Sequence, residues 1–242
     1  MHASIRLLAL FALLPPVAHA VCVATPPARP LHLVELYTSE GCSSCPPAEH
    51  WLSSLHASTT FVPLEFHVDY FDDQGWRDPF SDPRYTARQQ RLAKRGTRDQ
   101  VYTPQIVVDG RPWKTWPKGS PPAPADPAAG TLTLEVEAAG ADLRVALHAP
   151  AAGSGEDRIY VALAEDGLSR QVTAGENRGR SLAHDAVVRD FAGPLPLPDA
   201  RATLHAPAGF ERTRGTVVAF VEDERSGEII QVQRVRLDRC TP

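Results

Sequence analysis

The chain has 242 residues, 43% hydrophobic and 22% charged, with a formal net charge of −4. That apolar share supplies a sizeable core, and the length allows one or two domains. The negative balance, with no basic patch interleaved with aromatics, argues against nucleic acid and acidic lipid as partners.

Residues 1–20 read as a signal peptide. Arg6 is their only charge, residues 7–14 are an unbroken apolar run, and Pro15-Pro16 breaks any helix. Ala18-His19-Ala20 then supplies the small residues a signal peptidase requires. The run is far short of the roughly 20 residues of a membrane span. Val21 replaces the small residue that a lipoprotein site needs before Cys22. The expectation is a periplasmic or secreted chain, mature from near Val21, with no membrane span.

Residues 31–37 (LHLVELY) are apolar and β-prone, so they predict a buried strand. The segment GCSSCPP follows, and residues 48–55 place apolar side chains at helical spacing. Residues 61–70 alternate as a second strand. Asp82 before Pro83 predicts a helix start, running to about Lys94 with Gly96 as C-cap. Residues 105–108 are a short strand, Asp109-Gly110 a hairpin turn, and residues 113–116 its return.

Composition shifts at residues 119–130 (GSPPAPADPAAG), which predict a linker. Residues 131–137, 143–147, 159–163, 216–221 and 229–237 then read as strands of an antiparallel sheet or sandwich over 131–240.

Outside the cytosol disulfides persist, and four cysteines suggest pairing. Cys42 and Cys45 lie close together, which leaves Cys22 and Cys240 for a structural disulfide between the chain ends; two unpaired terminal thiols are the alternative. Cys42 and Cys45 sit past a strand and at a helix start, where backbone N–H groups and the helix dipole favour a thiolate. This predicts Cys42 as the nucleophile and Cys45 as the resolving thiol. Pro46 and Pro47 are tolerated in a first turn, where the N–H has no intrahelical partner. No second C-x-x-C or histidine pair at ligand spacing follows, so no metal site is assigned. Copper held by Cys42, Cys45 and a distant His67 stays open.

The segment VYTPQIVVDG carries a specific resemblance. A strand ending in C-x-x-C, then Thr-Pro before a hairpin strand, resembles the thioredoxin superfamily. The resemblance implies that Pro104 is a cis-proline beside the dithiol and that Thr103 contacts an extended substrate. It also implies a buried acid near the first strand that moves protons to and from the resolving cysteine. Glu35 is the candidate, one residue out of register; a strand-end glutamate facing water is the other reading. Together with ELYTSEGCSSCPPAE and HVDYFDDQGWRDPFSDPRYTARQ, the segment resembles exported bacterial proteins classed as a domain of unknown function. AGENRGRSLAHDAVVRDF is a weaker echo, with no catalytic arrangement assigned to Arg178, Arg180 or His184. Asp69, Trp76 and Asp78 either line a groove or tie down their loop, and the latter is favoured.

The fold expected is therefore α/β: a thioredoxin-like domain over 31–118, the linker 119–130, and a β-rich region over 131–240. The final helix of a full thioredoxin fold is absent, and another element would cover that side of the sheet. The function expected is an exported thiol-disulfide oxidoreductase acting on a protein or peptide disulfide. It needs no cofactor and takes redox equivalents from a partner protein. The alternative is a binding module holding copper or a protein partner.

Overall fold

The computed structural model describes residues 21–27, 29–95, 100–116, 131–150 and 155–240. The predicted signal peptide, the linker 119–130 and the Gly96 cap lie outside them.

The elements in chain order are β1 (Val21–Val23), β2 (His32–Thr38), α1 (Pro46–Ser53), β3 (Phe61–His67), α2 (Pro83–Arg95), β4 (Gln105–Val108) and β5 (Arg111–Pro112). There follow β6 (Thr133–Ala139), β7 (Asp142–His148), β8 (Asp157–Glu165), β9 (Leu168–Gln171), β10 (Ser181–His184) and β11 (Val187–Leu195). β12 (Asp199–Leu204), β13 (Gly215–Asp223) and β14 (Ile229–Arg236) complete the chain.

One eight-stranded sheet runs β14-β13-β8-β11-β3-β2-β4-β5. β2 pairs β3 in parallel and β4 antiparallel, while β11 lies parallel to β3 and antiparallel to β8. A smaller sheet, β1-β6-β7-β12, is antiparallel throughout.

Side-chain alternation places the layers. Leu33 and Tyr37 of β2 join Tyr160 and Ala162 of β8 in the cluster that includes Tyr85 and Leu92 of α2. Val34 and Leu36 face the other way, onto Ala48 and Leu52 of α1. Ile159, Val161 and Leu163 of β8 meet Leu134, Val136 and Val145 of the small sheet. So α2 covers one face of the large sheet, while α1 and the small sheet share the opposite face. All seven residues of β2 are buried, which is why it reads as a nearly continuous apolar run.

Local signals act as expected at two turns. Asp82 accepts the backbone N–H of Arg84 ahead of α2, with Pro83 at the first helical position. Asp109 and Gly110 both adopt positive φ, 47° and 81°, which joins β4 tightly to β5. A Cβ on Gly110 would stand 1.8 Å from the carbonyl oxygen of Gly227, so this turn also needs close backbone approach.

The expected α/β thioredoxin-like class is overturned. Of the described residues, 44% are in strands and 14% in helix, with two α-helices: the fold is β-rich with several sheets. Of the strands expected to build a C-terminal sheet, β6 and β7 lie in the smaller sheet, whereas β8, β13 and β14 continue the sheet begun by β2 and β3. The junction is β11, whose sequence VVRDFAGPL breaks its alternation at Asp190 and Pro194, and whose pairing with β8 shifts register twice. A strand so irregular carries little period-2 signal.

Candidate functional site

The cysteine loop leaves the C-terminal end of β2 and closes on itself. Cys42 N–H donates to Ser39 O at 3.0 Å and Cys45 N–H to Cys42 O at 3.2 Å. Cys42 and Cys45 form a disulfide with Cα atoms 5.5 Å apart. Cys45 precedes α1 directly, and its carbonyl accepts the N–H groups of Ala48 and Glu49 at 2.8 and 3.2 Å. Pro46 and Pro47 fill positions whose N–H groups have no helical partner. Cys42 keeps 3% of its surface and Cys45 none, beneath exposed Ser43 and Ser44. Ser44 Oγ lies 3.4 Å from Cys42 Sγ.

The loop is held from far along the chain. Asn177 donates to the carbonyl oxygens of Glu40 and Cys42 at 2.8 and 3.0 Å, and its own oxygen accepts Arg180. The Glu176 carboxylate accepts Ser43 N–H at 3.0 Å, and the Ser43 side chain together with this N–H lowers its pKa. Trp76 Nε1 donates to Glu40, whose backbone N–H donates to Asp78. Asp78 and Trp76 thus tie down the 69–82 loop, and Asp69 joins it to Thr86 of α2.

The other predicted residues are dispersed. The Thr103–Pro104 bond is cis, and the pairing Tyr37↔Gln105 sets it at the end of β2 from which the cysteine loop departs. Beside it a groove of about 860 Å³ runs along the sheet edge, walled by Tyr102, Pro104, Trp113 and Trp116. Cys22 and Cys240 are joined, with Cα atoms 5.4 Å apart.

Glu35 faces away from α1. It is fully buried, but its Oε1 accepts Arg88 Nε at 2.6 Å and Tyr37 OH at 3.1 Å. Arg88 is itself buried, bonds Glu222 at 2.8 Å, and lies 4.9 Å from the ring centre of Phe220. Burial opposes the guanidinium charge, yet Glu35, Tyr37 and Glu222 raise its pKa well above the ordinary value. The sequence placed an acid at this point of β2; the fold gives it to an ion pair on the α2 side.

The acids on the α1 side are different ones. Glu49 lies one turn beyond Cys45, and its Oε1 accepts Thr38 Oγ1 at 2.6 Å. His67 is held by Asp78 through Nδ1 at 2.7 Å and by Glu65 through Nε2 at 2.8 Å. Glu65 Oε1 also meets His184 Nδ1 at 2.8 Å. His184 Nε2 stands 3.4 Å from Glu40 Oε1, and its Nδ1 3.8 Å from Glu49. All seven side chains are buried. Burial and the Glu65 charge push Glu49 up to about 7. Burial works against the His184 charge, but Glu40 and Glu65 hold its pKa at about 9. Burial likewise opposes the His67 charge, and Asp78 with Glu65 raises its pKa well above the ordinary range. Burial would raise Glu65 and Asp78, yet their histidine partners bring both below it.

Cys42 and Cys45 are joined to each other, and the group of possible ligands that His67 belongs to among the described residues is Glu65, His67 and His184, so the copper set of Cys42, Cys45 and His67 is not assembled there. Sequence reading missed Glu49, Glu65, His184 and Asn177 as neighbours. The signal available was GENRGRSLAHD, a polar run between strands, and Glu65 in an otherwise apolar strand.

Residues 33–222 match the family described as "Protein of unknown function (DUF1223)", and the chain belongs to that family. Among solved structures it is similar to a protein of Agrobacterium tumefaciens known from an X-ray crystal structure, at 23% identity and TM-score 0.61. That match covers 87% of this chain and 96% of the other. It is also similar to HBP35 of Porphyromonas gingivalis, at 14% identity and TM-score 0.59, over 88% of this chain and 77% of the other. Both are likenesses of fold. No curated protein matches the chain.

Proposed function

We propose that this protein is an exported thiol-disulfide oxidoreductase working through Cys42 and Cys45. The observation that carries the reading is the Cys42–Cys45 disulfide at the N-terminus of α1, in a loop braced by Asn177 and Glu176. A helix N-terminus favours a thiolate, and Cys42 is the cysteine of the pair that keeps any exposed surface. Export is supported by Arg6, the apolar run 7–14 and Ala18-His19-Ala20.

In the reduced protein the Cys42 thiolate attacks one sulfur of a substrate disulfide and expels the other as a thiolate, which takes a proton. The Cys45 thiolate then attacks Cys42 Sγ, releasing the second substrate sulfur and forming the Cys42–Cys45 bond. Two electrons pass to the substrate, and a dithiol-bearing redox partner returns them. The groove walled by Tyr102, Pro104, Trp113 and Trp116 offers an aromatic seat for the substrate polypeptide.

The test is disulfide exchange with a model substrate. Wild-type protein exchanges, Cys42→Ser does not, and Cys45→Ser accumulates a mixed disulfide through Cys42 visible by mass spectrometry. Exchange by Cys42→Ser at the wild-type rate sinks the reading.

A further inference from the structure

We infer that Glu65, His67 and His184 form a binding site for a single borderline divalent cation of the zinc class, beneath the cysteine loop and independent of the thiols.

Three side chains converge. Ligand atoms of these three residues lie within 4.8 Å of one another, although His184 is more than a hundred residues from the other two. Glu65 and His67 share the α1 face of β3, since residues two apart on a strand point the same way. β10 brings His184 to the same side, and the two imidazoles stand 5.1 Å apart at 74° rather than stacked. Phe80 packs edge-on against both rings and shields them.

The outer contacts have the pattern of a ligand shell. A metal-binding histidine generally gives its second nitrogen to a carboxylate, which fixes the ring and raises its basicity. Here His67 turns Nδ1 to Asp78 and Nε2 inward, while His184 turns Nε2 toward Glu40 and Nδ1 inward. Glu49, oriented by Thr38, approaches His184 Nδ1 at 3.8 Å from outside the three.

A second observation is independent of this pattern. Glu65 is fully buried, and its Oε2 has no hydrogen-bond partner. Buried polar atoms rarely go unpaired, because each loses its hydration without replacement.

Three carboxylates, Glu65, Asp78 and Glu40, stand against the two imidazoles, a surround that suits a cation. With imidazole and carboxylate donors and no sulfur, the set favours zinc over soft Cu(I).

The experiment uses the full mature chain with both disulfides intact, stripped with a chelator and titrated with ZnCl₂ by calorimetry. Expected are one ion per chain and binding about 10–100-fold weaker in Asp78→Asn. His184→Ala is expected to abolish stoichiometric uptake. If that variant fails to fold, zinc-edge X-ray absorption of the wild-type protein decides, with two imidazole nitrogens and no sulfur expected. No stoichiometric zinc uptake, unchanged affinity in both variants, or a spectrum with fewer than two imidazoles overturns the proposal. Because the thiols are oxidised throughout, these results do not depend on disulfide exchange.

Discussion

Asn177 lies 3.0 Å from the carbonyl oxygen of Cys42, though 135 residues separate them in the chain. The same amide nitrogen serves Glu40 O, so one buried side chain satisfies two carbonyls of the cysteine loop. Asn177→Ala leaves both without that donor. Such a loss costs about 1–3 kcal/mol, to be read as a lower midpoint in denaturant unfolding. Proteolysis within residues 39–45 should quicken in parallel.

The Glu35–Arg88 pair gives a second test. Removing Glu35 leaves the buried Arg88 with Glu222 as its remaining carboxylate partner, and breaking a buried pair costs up to about 3–5 kcal/mol. Glu35→Ala is expected to lose that much stability by chemical denaturation. Glu35 faces α2 and not α1, so the rate of disulfide exchange by the variant that remains folded should match wild type. A fall in the exchange rate with no fall in stability would return Glu35 to the proton path.

Stability should fall as the pH rises from about 5 to about 9 in chelated protein. The folded-state pKa values of Glu49, His67 and His184 lie above their ordinary ones, so the folded chain holds protons that the unfolded chain has released. The Glu49 contribution is complete below the ordinary carboxylate range and is lost as the pH passes about 7. That of His184 is complete below the ordinary imidazole range and is lost as the pH passes about 9. Glu65 and Asp78 act oppositely, stabilising above the carboxylate range and failing in acid. Thermal melts of wild type and His184→Gln across this range check the sign: the variant should lose the upper limb.

The Cys22–Cys240 bridge closes a loop with a sequence separation of 218. Restricting so long a loop in the unfolded chain contributes up to about 5 kcal/mol. The double variant Cys22→Ser/Cys240→Ser should unfold at lower denaturant, and the exchange activity of Cys42 should survive wherever it remains folded.

These tests also mark what the amino-acid pattern discloses. β2, β3, α2, β4 and the Asp109-Gly110 turn are legible because burial on both faces, a proline-started amphipathic helix and a positive-φ pair leave local traces. β11 and β12 are not: Asp190 and Pro194 interrupt one, and DARATL is poor in β-branched residues. Missing β11 meant missing the join between the two halves of the sheet. The dithiol was visible as a spacing, whereas the histidine–carboxylate cluster under it is spread from Glu40 to His184, with only Glu65 and His67 close in sequence. His184 and Asn177 arrive there only through long-range pairing of β9, β10 and β11.

The insertion of β11 between β3 and β8 sets an order of events during synthesis. A nascent chain ending at residue 130 holds both cysteines of the C-x-x-C segment, yet lacks Glu176, Asn177, His184 and the strand that flanks β3. The cysteine loop is therefore finished late, after distant segments meet, and folding dominated by such separated contacts is slow. Any thiol chemistry before that moment occurs in an unbraced loop, so the emerging chain and the mature fold should differ in how readily they are oxidised. Timed alkylation during translation would resolve the two.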